Sequence, residues 1–193
     1  MTIKLSPLNH RWQLGELCKY ELAVEVGTHR GQFAEQLARA RDGGKLWCID
    51  PWTSYPGAEL LTGGGVDREA DLNIAYSTLK QHIRDGRVEL FRGTSADATL
   101  RFKDSSTDLV YIDGDHSYDA VWHDLQAWWP KVKPGGLLAG HDFICPGDVD
   151  VWPGVQKAVL AFADRHALDI WLVPENAVET AGQPWSFYME KPK

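Results

Sequence analysis

The stretch Leu22-Ala-Val-Glu-Val-Gly-Thr-His-Arg-Gly31 decides the fold that this sequence predicts. Its mostly apolar first residues predict a short strand, Gly27 predicts a sharp turn, and a helix is expected from Gly31 onward. A strand, a glycine turn and a helix in this order are typical of a parallel α/β sheet. Free backbone N–H groups and the positive end of the helix then converge on one place, where an anionic ligand group can bind.

Glu25 restricts which ligand this turn can hold. The dinucleotide fingerprint Gly-x-Gly-x-x-Gly needs a glycine where this chain has Glu25, because the backbone must approach a pyrophosphate closely. A carboxylate there would repel a phosphate and attract an ammonium or a hydroxyl group. The expected ligand therefore carries a carboxylate and a positive charge but no phosphate. S-adenosylmethionine has this chemistry, and NAD does not.

Strand and helix patterns alternate along the rest of the chain. They predict a single domain over 1–193 with an α/β, Rossmann-like, doubly wound and mostly parallel sheet. Seven strands are expected: 22–26, 45–49, 87–91, 108–112, 137–140, 168–173 and 185–190. The last two are too close for a crossover helix, so the last strand should run antiparallel. Residues 1–20 form an N-terminal segment, and the loops 51–66 and 142–153 are candidate lids of the acceptor site.

Size, charge and cysteine content limit the function classes. The 193 residues suffice for one domain with a substantial core, and the net charge of −7 disfavours a nucleic-acid partner. No apolar run approaches the ~20 residues that span a membrane, and Met1 to Tyr20 lacks a secretory signal pattern. Cys18, Cys48 and Cys145 show no metal-type spacing and are expected to be reduced thiols of a cytoplasmic protein. The expected partner is a small-molecule acceptor, and a homo-oligomer is compatible with the sequence.

Polar residues follow the predicted strands at the edge where open parallel sheets bind their ligands. Asp50 lies about twenty residues beyond the glycine turn, where a carboxylate can accept bonds from both ribose hydroxyls. Asp97, with Ser95 just before it, can either contact an adenine amino group or cap the following helix. Asp119 and Asp124, on the helix that begins near Tyr118, are expected to lie on its solvated face.

A second group gathers ionisable side chains on two neighbouring strand ends: Asp113, Asp115, His116, His141 and Asp142. Such groups would repel or desolvate one another unless a cation organises them. Oxygen ligands favour Mg²⁺, Mn²⁺ or Ca²⁺, and an imidazole shifts the preference toward Mn²⁺, Fe²⁺ or Zn²⁺. The alternative is that Asp115 or Ser117 only caps the helix at Tyr118.

Five motifs in the expected order resemble the class I S-adenosylmethionine-dependent methyltransferases. More narrowly, they are similar to metal-dependent small-molecule and sugar O-methyltransferases of macrolide and aminocoumarin pathways, and more distantly to the catechol type. The motifs are Glu25-Val-Gly-Thr-His-Arg-Gly31, Ile49-Asp50-Pro-Trp52, Gly93-Thr-Ser-Ala-Asp97, Tyr111-Ile-Asp-Gly-Asp-His-Ser-Tyr118 and Lys133-Pro-Gly-Gly-Leu-Leu-Ala-Gly-His-Asp142.

The resemblance implies a role for each matching residue. The expected cofactor-binding residues are Glu25, Gly27, Thr28 and Gly31 at the methionine part, Asp50 and Trp52 at the ribose, Ser95 and Asp97 at the adenine, and Asp113. The expected metal ligands are Asp113, His141 and Asp142. Asp115 or His116 would take the proton. His141 departs from the usual pair of carboxylates or Asp-Asn, which leaves Mg²⁺, Mn²⁺, Fe²⁺ and Zn²⁺ as candidate ions.

The expected function is methyl transfer from S-adenosylmethionine to a hydroxyl of a small molecule, such as a sugar or a ring-containing natural product, assisted by a divalent metal. Trp52, Tyr55 and Trp152 in the predicted loops suggest the ring-shaped or apolar acceptor. One alternative is a metal-free methyltransferase with His116 or His141 as the base. Another is a non-catalytic protein that binds S-adenosylmethionine on the same fold.

Overall fold

A computed structural model describes residues 1–41, 43–53, 67–144, 153–174 and 184–193 of the chain. The strands are β1 (Ile3–Leu5), β2 (Leu22–Val26), β3 (Lys45–Asp50), β4 (Val88–Arg92), β5 (Thr107–Ile112), β6 (Val132–Ile144), β7 (Ile170–Val173) and β8 (Trp185–Glu190). The helices are α1 (Leu14–Cys18), α2 (Gln32–Ala40), α3 (Arg68–Arg84), α4 (Ser95–Thr99), α5 (Tyr118–Trp128) and α6 (Pro153–Arg165). Two short 3₁₀ helices cover Arg11–Gln13 and Trp129–Lys131.

The described strands form one sheet in the order β1-β7-β8-β6-β5-β2-β3-β4. The last strand, β8, pairs antiparallel with β6 and β7, and the other pairs are parallel. The predicted Rossmann-like, mostly parallel sheet with an antiparallel last strand is therefore confirmed. Helices cover both faces, so the central strands β2 and β5 are almost continuously apolar and buried.

The number of strands differs from the prediction, because the sheet has eight strands rather than seven. The additional strand, β1, pairs parallel with β7 at the edge of the sheet. It has only three exposed residues, Ile3-Lys4-Leu5, so its single apolar-polar-apolar alternation is too short to predict a strand. Edge strands are often this short, which limits unwanted pairing with other chains.

The strand β6 is longer than expected at both ends. It begins at Val132 instead of residue 137, and it continues to Ile144 instead of ending at Gly140. Irregular register between Gly140 and Ile144 lets the strand pass a bulge and pair again with Trp185. Asp142 therefore belongs to a strand and not to the predicted loop 142–153. The rest of that loop from residue 145 to 152, with Trp152, lies outside the described residues, as do 54–66 with Tyr55.

Among the described residues, no helix is both long and apolar enough to span a membrane.

Candidate active site

A cleft of about 660 Å³ opens at the carboxyl edge of the central strands. Its size is in the range of pockets that bind small molecules. The described residues that line it are Val26, Gly27, His29, Ile49, Asp50, Pro51, Thr53, Arg68, Thr94, Ser95, Ala96, Asp113, Gly114, Asp115, His116, Ala120, His123 and Asp124. Six predicted site residues are among them: Gly27, Asp50, Ser95, Asp113, Asp115 and His116. Glu25, Thr28, Gly31, Trp52, Asp97, His141 and Asp142 do not contribute to this lining.

The glycine turn is held against the neighbouring strand end. Gly27 has a φ of 89°, and a β-carbon built on it would lie 2.0 Å from the carbonyl oxygen of Asp113. Only glycine fits both the backbone conformation and this close approach. Gly31 precedes α2 with a φ of 79°, so the two glycines let the chain turn sharply from β2 into the helix beside the cleft.

Glu25 lies below the turn with its side chain away from solvent, and the residue is 1% exposed. Thr28 donates a hydrogen bond from Oγ1 to Glu25 Oε2 at 2.8 Å. Burial raises the pKa of Glu25 to about 8, and the bond from Thr28 only partly opposes this rise. The two residues therefore form a buried pair that supports the turn, and their contact with the methionine part of a cofactor stays a prediction.

The buried carboxyl of Glu25 predicts a pH-dependent stability. Because the pKa of Glu25 is raised, the folded chain keeps a proton that the unfolded chain loses. Proton binding therefore favours the folded state, and this stabilisation disappears as the pH rises from the unfolded pKa toward about 8. Glu25→Gln should remove the dependence. The unfolding free energy of wild type relative to Glu25→Gln should fall by up to about 1.4 kcal/mol per pH unit in that range.

Urea denaturation at several pH values measures this difference. Glu16→Gln is the matched control, because Glu16 is exposed and its replacement should give a difference that is independent of pH. A constant difference between wild type and Glu25→Gln over the same range would contradict the assignment of a neutral buried carboxyl.

Asp50 connects the turn to the chain that follows β3. Its Oδ2 accepts a hydrogen bond from the backbone N–H of His29 at 2.9 Å, and its Oδ1 accepts one from Trp52 N–H at 2.7 Å. Each carboxylate oxygen can accept more than one bond, so the side chain can hold the loop and still receive hydroxyl groups from the cleft. The position at the end of β3 is the one predicted for a ribose ligand.

Trp52 packs beside the cleft and not into it. The residue is 2% exposed, contacts Leu72 and Ala75 on α3, and donates from Nε1 to the carbonyl of His29 at 2.8 Å. In the described structure its indole supports the loop that carries Asp50. A direct contact of Trp52 with the cofactor stays a prediction that this packing does not favour.

The Asp97 side chain forms a hydrogen bond at the start of α4. Thr94 caps that helix, and its Oγ1 donates to Asp97 Oδ2 at 2.6 Å while it accepts from Asp97 N–H at 3.1 Å. The sequence left open whether Asp97 caps the helix or contacts adenine; the cap is Thr94 and not Asp97, and a contact of Asp97 with adenine stays a prediction. Ser95 does line the cleft, and its Oγ accepts a hydrogen bond from Trp128 Nε1 at 2.9 Å.

The second predicted group does assemble at the ends of β5 and β6. Asp113, His141 and Asp142 each offer one ligand atom, and these atoms lie within 4.8 Å of one another. Asp142 has a φ of 58°, which is unusual for a non-glycine residue. The bulge in β6 thus turns Asp142 toward Asp113. Backbone strain such as this positive φ is often found at functional sites.

Two imidazoles lie within hydrogen-bond distance of Asp142. His116 Nε2 lies 2.9 Å from Asp142 Oδ2, and His141 Nδ1 lies 3.2 Å from the same oxygen. Although burial opposes it, these hydrogen bonds hold the pKa of Asp142 well below its usual range. Burial would lower the pKa of His116, but the bonds and charges from Asp113 and Asp142 outweigh it and raise that pKa to about 9. The role of His116 as a base stays a prediction.

Asp115 has the free surface that a base needs. It is exposed at the cleft wall, and its Oδ1 accepts a hydrogen bond from Ser117 N–H at 2.7 Å. Of the two capping residues that the sequence offered, Ser117 is the cap of α5, accepting from Ala120 N–H at 3.4 Å, and Asp115 binds the backbone of this cap. Binding through one oxygen leaves the second oxygen for chemistry, so both roles fit the geometry.

Further ion pairs near the cleft were not predicted from the sequence. Arg11, in the N-terminal segment, reaches Asp113 Oδ2 with Nη1 at 3.2 Å. Asp71 is buried at the start of α3, where it pairs with Arg30 at 2.7 Å, with His29 at 3.4 Å and with Arg68 at 3.4 Å. The pairs of Asp71 connect the turn after β2 to α3. The spacing of Arg68 and Asp71 by three residues was the only signal for them in the sequence.

Asp124 corrects a further expectation. It does not lie on a solvated face of α5 but is half-buried and lines the cleft. The cause is the packing of α5 beside α4, which brings Asp124 next to Ser95. Asp119, on the first turn of α5, is exposed as expected.

The sheet order, the glycine turn and the acidic strand ends define a Rossmann-like fold of the methyltransferase type. Residues 24–143 match a family model described as "Methyltransferase domain". The chain belongs to this methyltransferase domain family, and the predicted class of enzyme is confirmed at that level.

A relative from Sinorhizobium fredii, named as an uncharacterized protein, is 30% identical over 123 residues. The match covers 62% of this chain and 13% of that relative, so the chain spans only a small part of the length of this relative.

Two solved structures share the fold at low identity. An O-methyltransferase from Bacillus cereus in complex with SAH (S-adenosylhomocysteine) is 16% identical with a TM-score of 0.67, over 93% of this chain and 78% of that one. The O-methyltransferase TomG from Streptomyces achromogenes, involved in tomaymycin synthesis and in complex with SAM (S-adenosylmethionine), is 16% identical with a TM-score of 0.66, over 93% and 77%.

Proposed function

We propose that this chain transfers the methyl group of S-adenosylmethionine to a hydroxyl of a small molecule, with a divalent cation at Asp113, His141 and Asp142. The observation that carries the proposal is one cleft that joins the glycine turn, Asp50 and Asp113. Membership in the methyltransferase domain family supports the reaction class. The complexes of the Bacillus cereus enzyme with SAH and of TomG with SAM support the choice of methyl donor.

The residues along the cleft support one orientation of bound S-adenosylmethionine. Gly27 and Asp113 lie together at the ends of β2 and β5, where a carboxylate next to the turn would attract the ammonium of the methionine part. Asp50 lies one strand further, at the end of β3, and would accept the ribose hydroxyls. Ser95 follows the next strand, β4, and would face the base. Orienting donor and acceptor in one cleft can supply ~7–11 kcal/mol of the barrier.

The residues at the candidate metal centre fit a divalent cation. Two carboxylates and one imidazole nitrogen lie close enough together to share an ion, and a mixed oxygen and nitrogen set suits Mn²⁺, Fe²⁺ or Zn²⁺ as well as Mg²⁺. When bound, the cation would lower the pKa of an acceptor hydroxyl.

Asp115 is the base in this proposal. The sulfonium already carries an activated methyl group, so the protein has to align the acceptor oxygen and receive its proton. Asp115 is exposed in the cleft, whereas His116 is half-buried with Nε2 2.9 Å from Asp142 Oδ2. The proton of the acceptor hydroxyl would pass to the Asp115 carboxylate as the oxygen bonds to the methyl carbon and the carbon–sulfur bond breaks.

A metal-free methyltransferase is the second candidate, and one observation favours it. Arg11 pairs with Asp113, and the His116 and His141 imidazoles lie within hydrogen-bond distance of Asp142, so the chain itself offers partners to both carboxylates without an ion. Methyl transfer that is unchanged by EDTA would support this candidate, and transfer that stops with EDTA and returns with a divalent cation would support the metal.

The acceptor we propose is a sugar or a ring-containing natural product. The net charge of −7 and the small-molecule size of the cleft support this class over a nucleic acid.

Asp50 provides the test of the proposed cofactor site. Asp50→Ala should weaken the binding of S-adenosylhomocysteine at least about 100-fold, because two hydrogen bonds from ribose to a charged group are lost. Isothermal titration calorimetry measures the affinity. The control is Asp85→Ala, which removes an exposed carboxylate at the end of α3 and should leave the affinity unchanged. An Asp50→Ala protein that stays folded and binds within twofold of wild type would refute the ribose assignment.

A further inference from the structure

Asp124 is a carboxylate in the cleft for which the proposed reaction has no role. It lies on the second turn of α5, half-buried, and lines the same cleft as Ser95 and Ala96. It is therefore accessible to a ligand in the cleft although most of its surface is covered. Covering most of a carboxylate costs solvation free energy, so its position in the cleft calls for an explanation in terms of what it binds.

A short chain of hydrogen bonds fixes the carboxylate. Trp128, which is fully buried, donates from Nε1 to Ser95 Oγ at 2.9 Å. Because indole is only a donor, the Ser95 oxygen accepts this bond and the Ser95 hydroxyl keeps its own hydrogen. Ser95 lines the cleft beside Asp124, whose pKa is raised by burial and lowered by an interaction with this hydroxyl. Ser95 thus lies on one side of the carboxylate, and Asp124 offers carboxylate oxygens to the cleft as hydrogen-bond acceptors.

The sheet order shows which part of the ligand meets Asp124. In the sequence of neighbours β5-β2-β3-β4, the glycine turn follows β2, Asp50 follows β3, and Thr94 to Ala96 follow β4. A ligand with its ribose at Asp50 and its methionine part at Gly27 therefore directs its base toward Ser95 and Asp124. This step rests on the proposed function.

Asp97 does not compete for the base, because its carboxylate receives the Thr94 hydroxyl at 2.6 Å and does not line the cleft. Adenine carries an exocyclic amino group with two hydrogens to donate. We infer that Asp124 accepts a hydrogen bond from this amino group and makes the site specific for adenine over bases that carry a carbonyl oxygen in the same place.

The protonation state agrees with an acceptor. Burial raises the pKa of Asp124 to about 6 and the nearby Asp115 adds to the rise, while the Ser95 bond and His123 lower it. Asp124 is therefore mainly a carboxylate at neutral pH. A carboxylate attracts the adenine amino group and repels the carbonyl oxygen of hypoxanthine, which is what specificity at this position requires.

The experiment compares two ligands that differ only at the base. S-adenosylhomocysteine and its deaminated form, S-inosylhomocysteine, are titrated into wild type, Asp124→Asn and Asp119→Asn. Wild type should bind the adenine ligand about tenfold or more tightly than the hypoxanthine ligand, because a charged acceptor is left unpaired or opposed in the second case. Asp124→Asn should bring the two affinities within about threefold, since its carboxamide can donate to the carbonyl as well as accept. Asp119→Asn, on the exposed side of the same helix, should behave as wild type.

The outcomes separate the inference from the proposed function. Binding of neither ligand by wild type would overturn the proposed function and this inference with it. Binding of both ligands equally by wild type would overturn the inference alone, even if Asp124→Asn fails to fold. If Asp124→Asn keeps the full wild-type preference for adenine, the inference is likewise overturned. If Asp124→Asn binds both ligands but has lost the preference for adenine, the inference is supported. The retained binding of S-inosylhomocysteine then shows that the cleft of this variant is intact.

Discussion

Asp142→Asn is expected to lower the rate of methyl transfer at least about 100-fold while the affinity for S-adenosylhomocysteine stays within about threefold. Asp142 does not line the cleft, but its Oδ2 lies 2.9 Å from His116 and 3.2 Å from His141. Asparagine keeps the shape and removes the charge, so it weakens a candidate metal ligand and removes the charged partner of both imidazoles. The measurement is the rate of S-adenosylhomocysteine formation with a hydroxyl-bearing acceptor found by screening.

The control for this prediction is Asp104→Asn, which changes an exposed carboxylate paired with Lys131 and should leave both quantities unchanged. EDTA should reproduce the loss in wild type, and added Mn²⁺ or Mg²⁺ should restore the rate. If EDTA and Asp142→Asn both leave the turnover unchanged, the metal proposal is wrong. If Asp142→Asn is inactive while EDTA has no effect, the metal-free candidate is supported.

Gly27→Ala is expected to reduce the free energy of unfolding by more than about 3 kcal/mol, or to prevent folding. Two effects add at this position. The backbone has a φ of 89°, which an L-residue adopts only with strain, and the new β-carbon would lie 2.0 Å from the Asp113 carbonyl oxygen. The two strand ends that form the cleft would have to separate, so bound S-adenosylhomocysteine should be lost as well.

Gly86→Ala separates the two effects, since Gly86 also has a positive φ of 70° but no atom lies within 4 Å of the added β-carbon. Its cost should be about 1–2 kcal/mol from backbone strain alone. Urea denaturation of both variants gives the comparison. Similar losses for Gly27→Ala and Gly86→Ala would mean that the close approach of the two strand ends has no energetic consequence.

Much of the fold could be predicted because it depends on local patterns. The apolar strands, the glycine turn and the short connection before the last strand are visible in the sequence as periodicity and spacing. β1 was missed because three exposed residues at an edge are too short a stretch for such a pattern. The extension of β6 to Ile144 was missed because a bulge and a positive φ at Asp142 interrupt the regular alternation.

The candidate site was predictable where strand ends alone bring residues together, as for Asp50, Asp113 and the His141–Asp142 pair. It was not predictable where packing between separate helices and strands brings the residues together. Arg11 reaches Asp113 across 102 positions, and Asp124 faces the cleft because Trp128 and Ser95 hold α5 beside α4. The engagement of Asp97 by the Thr94 side chain likewise depends on the geometry of the helix start.

The most direct test of the central claim is a calorimetric titration of the wild-type protein with S-adenosylhomocysteine, with NAD titrated in parallel. The cleft, with Asp50 at the ribose position, predicts micromolar binding of S-adenosylhomocysteine. The turn lacks the first glycine of the dinucleotide fingerprint, where Glu25 stands, and this predicts no measurable binding of NAD. Binding of NAD, or a folded protein that binds no S-adenosylhomocysteine, would contradict the account.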